Sequence, residues 1–379
     1  MGKKEVLIFV DWFIPGYKAG GPIQSIKNLV ENLGNEFQFS IVTSNTDLGE
    51  TKPYSGIVCN TWIDKGLYNI MYLDGTHQNF KQFSSILKEK NYDFVYLNSL
   101  FSFRFSMLPL FVSLSSKTKV ILAPRGMLGV GALQLKASKK KLFLAVFKIL
   151  NIHKRVVWHV TSGSEVEDVN RIFGREVRFK LASNLPQKTI DLTPRLKEEN
   201  NAKLFFLSRI NPKKNLLQAL NCLAKVNPKY TIEFSIIGPL DGDEYWSLCE
   251  AEIQNLPDHI KINILGAVPH FNLGTVLNSQ HCLFLPTHNE NYGHVIVESW
   301  QYGCLTLISD QTPWRHLEAK GVGWEYALDQ NNNFVKSVET LAAMSQNDFN
   351  IFSKKAYELS KAICENPKLL EDNRQLFIN

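Results

Sequence analysis

The stretch Cys282–Ser309, CLFLPTHNENYGHVIVESWQYGCLTLIS, contains one full structural cycle. Cys282–Leu285 is a short apolar run, closed by Pro286. A polar loop follows, carrying Glu290 and ending at Gly293. Helical spacing then runs from about His294 to Gly303, and the apolar run Leu305–Ser309 begins at once. Both runs are continuously apolar rather than alternating. Such strands are buried on both faces, which points to a parallel sheet covered by helices.

The same rhythm extends outward. Upstream strand candidates are Val6–Val10, Phe37–Thr43, Asn69–Leu73, Phe94–Leu97, Val120–Ala123, Val156–Thr161 and Val177–Ala182. Leu204–Ser208, Ile232–Ile237 and Ile262–Leu265 lie nearer, and Trp324–Ala327 follows. The chain therefore reads as α/β, in two doubly wound halves. The polar segment Pro186–Asn201, with two prolines and no periodicity, marks the seam. This gives domains over 1–186 and 187–345. Residues 346–379 read as a C-terminal helix, free to pack back on the first domain.

Composition narrows the class. A chain of 379 residues with 44% hydrophobic and 21% charged residues is neither disordered nor low-complexity, and its length suggests two domains or three. The six cysteines (Cys59, Cys222, Cys249, Cys282, Cys304, Cys364) are scattered without a C-x-x-C pair. That argues against a disulfide framework or a zinc finger and suits a reducing cytoplasm. The net charge of +6 permits an anionic substrate or an anionic membrane surface, but does not indicate nucleic acid. Val6–Val10 is too short for a signal-peptide core. The longest uncharged apolar run, from Phe105 to about Ser116, falls short of the ~18 residues of a membrane span. A soluble cytoplasmic protein is expected, with peripheral membrane contact left open.

Ligands of open parallel sheets bind beyond the carboxyl ends of the strands, so the residues there carry most weight. After the first strand, WFIPGYKAGGPIQSIKNLVENLG (Trp12–Gly34) places Gly20 and Gly21 before a helix that starts near Pro22. Backbone N–H groups there could approach an anion. The other reading is a plain flexible turn. In FFLSRINPKKNLLQAL (Phe205–Leu220), a strand delivers Arg209, and Lys214 heads the next helix. A guanidinium fork and an ammonium can neutralise a pyrophosphate; an exposed basic turn is the alternative. Glu290 in its loop and Glu298, about one and a half turns inside the helix, could accept hydrogen bonds from ligand hydroxyls. Gly293 and the N–H groups after it could face a phosphate.

Glu290-x7-Glu298, opening with Glu290-Asn291-Tyr292-Gly293, resembles the E-x7-E signature of family 4 glycosyltransferases. Arg209 and Lys214 resemble that family's donor-phosphate motif, with Ser208 and Asn215 where glycine is usual or common. Ile236–Trp246, IIGPLDGDEYW, resembles its nucleotide-side glycine element, matched at Gly238 and departing at Pro239. Asp241-Gly242-Asp243 imitates a D-x-D metal site but reads as a loop and helix N-cap. The resemblance implies a GT-B fold, two Rossmann-like domains facing across a cleft. It also implies a retaining, metal-independent enzyme with a nucleotide-diphosphate sugar as donor and no cofactor. Catalytic roles would fall to Arg209, Lys214 and Glu290, with Glu290 on the sugar hydroxyls. Gly20, Gly21, Gly238, Tyr292, Gly293, His294 and Glu298 would bind the donor, Glu298 through the ribose.

In the first half, APRGMLGVGAL (Ala123–Leu133) places Arg125 where relatives often carry His-Gly, suggesting acceptor contact. TSGSEVEDVNRIFG (Thr161–Gly174) offers Ser164-x-x-Glu167 as a capping box. Pro313 and Trp314 could wall the nucleotide side. The stretch Lys136–Arg155 reads as a basic amphipathic helix with Phe143, Phe147 and Leu150 on one face. It would rest on an anionic membrane or keep its apolar face in the core. The loop after the first strand is of a type found in surface-polysaccharide assembly, so the expected acceptor is a glycan or a lipid-linked molecule of capsule or lipopolysaccharide synthesis. A non-catalytic two-domain regulator and a nucleotide-sugar epimerase are the alternatives.

Overall fold

The computed structural model describes residues 2–134, 137–240 and 242–378. Lys136 and Asp241, singled out above, lie outside them. The chain divides into two compact units: Met1–Leu185 with Asn366–Asn379, and Pro186–Glu365.

The first unit holds eight strands: β1 (Lys4–Phe9), β2 (Phe37–Ser44), β3 (Trp62–Asp64), β4 (Tyr68–Leu73), β5 (Phe94–Asn98), β6 (Lys119–Ala123), β7 (Val157–Val160) and β8 (Phe179–Leu181). Their order is β3-β4-β2-β1-β5-β6-β7-β8, and all pairings are parallel except β3 with β4. Alternate residues face opposite sides of the sheet. Leu7 and Phe9 join one core, and Val6 and Ile8 the other. Sequence reading located every strand here except β3, whose half-buried Trp62 and Ile63 and exposed Asp64 make no apolar run.

The second unit holds β9 (Asn201–Leu207), β10 (Thr231–Ile237), β11 (Ile260–Gly266), β12 (Cys282–Leu285), β13 (Leu305–Ser309) and β14 (Gly323–Tyr326). They form a wholly parallel sheet in the order β11-β10-β9-β12-β13-β14. The quoted stretch is β12, a loop, the helix His294–Gln301 and β13.

Several local expectations are revised. The cap of the helix Gly163–Phe173 is Ser162, two residues before the expected Ser164, and its partner is Glu165 rather than Glu167. The buried Glu165 carboxylate accepts from the N–H and hydroxyl of Thr161 at 2.7 and 2.9 Å, and from the N–H of Gly126. That burial selects Glu165 over the outward Glu167. The helix Asp243–Gln254 is entered through Gly242, with no side-chain cap. In the helix Ala137–Ile149 the core takes Leu144 and Phe147, with Phe143 half-buried. Leu150 is exposed just beyond the helix. Leu142 (68% exposed), Val146 and Ile149 (76% exposed) form an outward apolar stripe at i, i+4 and i+7. Among the described residues, no helix is long and apolar enough to cross a membrane.

The C-terminal residues divide between the units. The helix Gln346–Cys364 belongs to the second unit and Pro367–Arg374 to the first. There the buried ring of Phe377 packs against Phe37, Phe39, Phe94 and Tyr96, with centroids 5.4 to 6.0 Å apart. The Lys180 ammonium donates to the carbonyls of Gln375, Leu376 and Ile378.

The polar seam is not a loose tether. Arg195 donates to the carbonyls of Leu277 and Gln280 and contacts the Cys304 sulfur. Lys197, only 3% exposed, donates to the carbonyls of Glu198, Ala342 and Met344, the last two at the end of the helix Asn331–Ala343. A cation suits a helix C-terminus, but burial lowers the Lys197 pKa from the ordinary 10.5 to about 8. Between these two values the unfolded chain retains a proton that the folded chain has released, so Lys197 favours folding more as pH rises. Denaturant titrations at pH 7.5 and 10 should show the wild type gaining stability relative to Lys197→Met. A constant difference between the two proteins would contradict this.

Candidate functional site

In the second unit the strand order reverses between β9 and β12, while all strands stay parallel. Connections from these adjacent strands leave on opposite sides and open a crevice at their carboxyl ends. Arg209 stands two residues beyond β9, half-buried. Its strand end is held by Ser208 N–H donating to Ile237 O at 3.0 Å and Ile210 N–H to Pro239 O at 2.9 Å. Gly238 permits that approach: a Cβ there would lie 1.8 Å from the Ser208 carbonyl oxygen, and φ is +148°. Its demonstrable role is thus to let two strand ends close on each other.

Lys214 ends a short 3-10 turn, Pro212–Lys214, capped by the Asn211 side chain. Its ammonium forms an ion pair with Glu290 Oε1, both side chains largely shielded from water. Two further bonds bind the β9 and β12 loops: His288 N–H and the Thr287 hydroxyl donate to Lys213 O at 2.8 and 3.1 Å. Glu290 N–H donates to Gln311 O at 2.9 Å, joining the loop after β13. Lys213 itself is exposed.

Gly293, at φ +76°, starts the helix His294–Gln301 with no side-chain cap. Tyr292 is buried, its ring against His294 and Trp314, and its carbonyl accepts from Trp314 Nε1 at 2.6 Å. It therefore supports the helix entry through its backbone and ring. Trp314 also packs on the buried Trp300, centroids 5.1 Å apart. Glu298 is buried one turn into the helix and accepts from His270 Nε2 at 3.2 Å. Burial, and then the Glu298 charge, raises the Tyr302 pKa. Sequence reading missed His270. It follows β11 at the same sheet edge, but only the fold brings it beside a residue 28 positions away.

The first unit has its own reversal, between β1 and β5. Gly20, at φ +65°, precedes the helix Gly21–Leu33, which no side chain caps. In the same loop the N–H groups of Tyr17 and Lys18 are taken by the Asp47 carboxylate at 2.8 and 3.2 Å. Arg125 points into a polar network. Its guanidinium donates to Asn98 at 2.7 Å, to the Tyr96 hydroxyl at 2.8 Å and to Asn184. His159 Nε2 donates to the Ala182 carbonyl at 2.8 Å, so its Nδ1 accepts from Tyr96 at 2.7 Å. Burial, and then the Arg125 charge, lowers the His159 pKa to about 3. Asp11, just beyond β1, accepts from the Ser102 hydroxyl at 2.6 Å, and burial raises its pKa. Among the described residues, no three His, Cys, Asp or Glu side chains are grouped to hold a metal ion.

Residues 188–359 match the family model for glycosyl transferases group 1. Its span coincides with nearly the whole second unit. That unit matches the group 1 glycosyl transferase model almost end to end. Solved structures extend the likeness along the chain. Sucrose-phosphate synthase from Thermosynechococcus elongatus aligns over 99% of this chain and 98% of its own, at 15% identity and a TM-score of 0.71. HepE from Anabaena, solved with UDP-glucose, aligns over 98% of each chain at 14% identity and a TM-score of 0.67. WaaG, a glycosyltransferase of lipopolysaccharide biosynthesis, aligns over 98% of each at 10% identity and a TM-score of 0.67. No curated protein matches by sequence. The fold is GT-B.

Within that unit, the structure gathers Arg209, Lys214, Gly238, Glu290, Tyr292, Gly293, His294 and Glu298 on loops and one helix at one sheet edge. Gly20, Gly21 and Arg125 belong to the other unit. Gly238→Ala should destabilise the protein by about 2 kcal/mol or more, through overpacking and strain. Gly20→Ala, where an added Cβ meets nothing within 4 Å, should lose only the strain of its positive-φ backbone (φ 65°, ψ −118°), about 1–3 kcal/mol, and less than Gly238→Ala. Denaturant unfolding measures both; equal losses would refute the close-approach account.

Proposed function

We propose that this GT-B protein is a retaining, metal-independent glycosyltransferase. It moves a sugar from a nucleotide-diphosphate sugar to a glycan or lipid-linked acceptor of bacterial capsule or lipopolysaccharide synthesis. The observation that carries this reading is the Lys214–Glu290 ion pair at the β9–β12 reversal, with Arg209 at the β9 strand end. The site offers cations for a diphosphate and a carboxylate for sugar hydroxyls.

Arg209 and Lys214 receive the negative charge that builds on the leaving diphosphate. Such electrostatic stabilisation is usually the largest single contribution to catalysis. Lys214 exchanges a carboxylate for a phosphate oxygen, which releases Glu290 to accept from the donor sugar. The acceptor oxygen bonds to the anomeric carbon on the face the diphosphate leaves. The carbon–oxygen bond to phosphate breaks, and the acceptor proton passes to the departing phosphate oxygen. Neither glutamate is required as a base. Glu298 holds the ribose hydroxyls, and Gly20 and Gly21 lie in a loop suited to donor phosphates. Arg125 supports an acceptor-side loop through its inward hydrogen bonds. The nucleotide sugar bound by HepE and the pathway of WaaG support this choice of chemistry.

The first unit suits peripheral contact with an anionic membrane from the cytoplasmic side. Leu142, Val146 and Ile149 stand outward, and Lys139, Lys141 and Lys148 beside them are also exposed. Apolar burial at the headgroup boundary and attraction to anionic lipid act together on such a helix.

A thermal-shift panel of UDP- and GDP-sugars should contain one that raises the melting temperature, with about 2.7 kcal/mol of stabilisation at a hundred times its Kd. With that donor, Arg209→Ala and Lys214→Ala should each lose about 10²–10³-fold in kcat. Full activity in both variants would refute the charge-stabilising roles. Cosedimentation with phosphatidylglycerol vesicles should be lost in Leu142→Asp/Ile149→Asp while donor binding persists. Unchanged sedimentation would remove the membrane contact.

A further inference from the structure

We propose that His270 is a positioning residue for nucleotide recognition: it holds the Glu298 carboxylate in the orientation that receives the ribose hydroxyls. This rests on the reading of Glu298 as the ribose ligand.

His270 Nε2 lies 3.2 Å from Glu298 Oε1. An ionised carboxylate only accepts, so Nε2 carries the hydrogen. A carboxylate has about four lone-pair sites, and the bond from His270 takes one of them. The two residues stand on separate elements. Glu298 is on the helix His294–Gln301, and His270 opens the turn His270–Asn272 after β11.

The turn is anchored from both sides. Asn272 N–H donates to Pro269 O at 2.9 Å, and the helix Leu273–Leu277 that follows buries both its terminal leucines. Gly274 on that helix lies under Tyr302: a Cβ there would be 3.2 Å from the tyrosine hydroxyl oxygen. The His270 side chain is thus presented from a fixed backbone. A glutamate has three rotatable bonds, and a donor with a fixed origin narrows the orientations its carboxylate adopts. Pre-organisation of this kind strengthens binding without adding a contact to the ligand.

The test is calorimetry on the full chain with UDP, GDP and ADP, and with the 2′,3′-dideoxy form of whichever binds. His270→Ala should weaken the ribonucleotide about tenfold and leave the dideoxy form near its wild-type affinity. His270→Phe, which keeps bulk without a donor, should behave like alanine. His270→Gln, which keeps an N–H, should recover most of the loss. In a Glu298→Ala background, removing His270 should have no further effect. Thermal unfolding of each variant identifies any that fails to fold.

If His270→Ala and His270→Phe weaken both forms equally, or neither, while Glu298→Ala selectively weakens the ribonucleotide, the positioning role is overturned and Glu298 stands. If Glu298→Ala does not discriminate, or the wild type binds none of the three, the ribose assignment falls and takes the positioning role with it.

Discussion

A parallel sheet wrapped by helices has one edge at which loops can meet around a ligand, and only where neighbouring connections part. In the second unit that place is the boundary between β9 and β12. Arg209 and Lys214 come from one side of the boundary and Glu290 from the other. The Lys214–Glu290 pair closes the gap with opposite charges in a half-dry setting. A pair so placed is ready to exchange partners, because each member can be satisfied by a ligand of opposite character. The backbone bonds from His288 and Thr287 to Lys213 keep the loops in register while it does so.

The two units use the same edge differently. In the second, charge stands at the loops. In the first, the Arg125 charge is drawn inward through a directed chain, from its guanidinium to the Tyr96 hydroxyl, then His159, then the Ala182 carbonyl. A histidine whose pKa is lowered to about 3 stays neutral at physiological pH, so this chain keeps one polarity. Each of its three links pairs a donor with an acceptor. Connected hydrogen bonds in a low-dielectric setting strengthen one another and fix geometry.

Much of this was legible in residue order because burial on both faces writes itself as continuous apolar runs. Every strand but β3 was located, the central ones that way and the largely exposed edge strands β8 and β11 from shorter apolar segments, and the E-x7-E stretch fell on the strand, loop and helix assigned to it. Four things were not legible. Polarity made Arg195 and Lys197 look like parts of a solvated tether, yet backbone carbonyls satisfy both inside the second unit. Capping depended on which glutamate the fold buried, which set Glu165 apart from Glu167. His270 gave no local signal, since its partner is supplied by strand order and not by sequence spacing. The need for glycine at position 238 comes from the approach of the Ser208 carbonyl, which the fold sets and residue order does not.

The ring of Phe377 and the grip of Lys180 on Gln375, Leu376 and Ile378 have a temporal consequence. Translation produces residues 1–185 first, then the 180 residues of Pro186–Glu365, and only then this plug. At about 5–20 residues per second, the interval is roughly 10–40 s. Throughout it, the pocket among Phe37, Phe39, Phe94 and Tyr96 lacks its natural filling. The nascent first unit therefore leaves the ribosome unfinished, and the second is made before the first can be sealed.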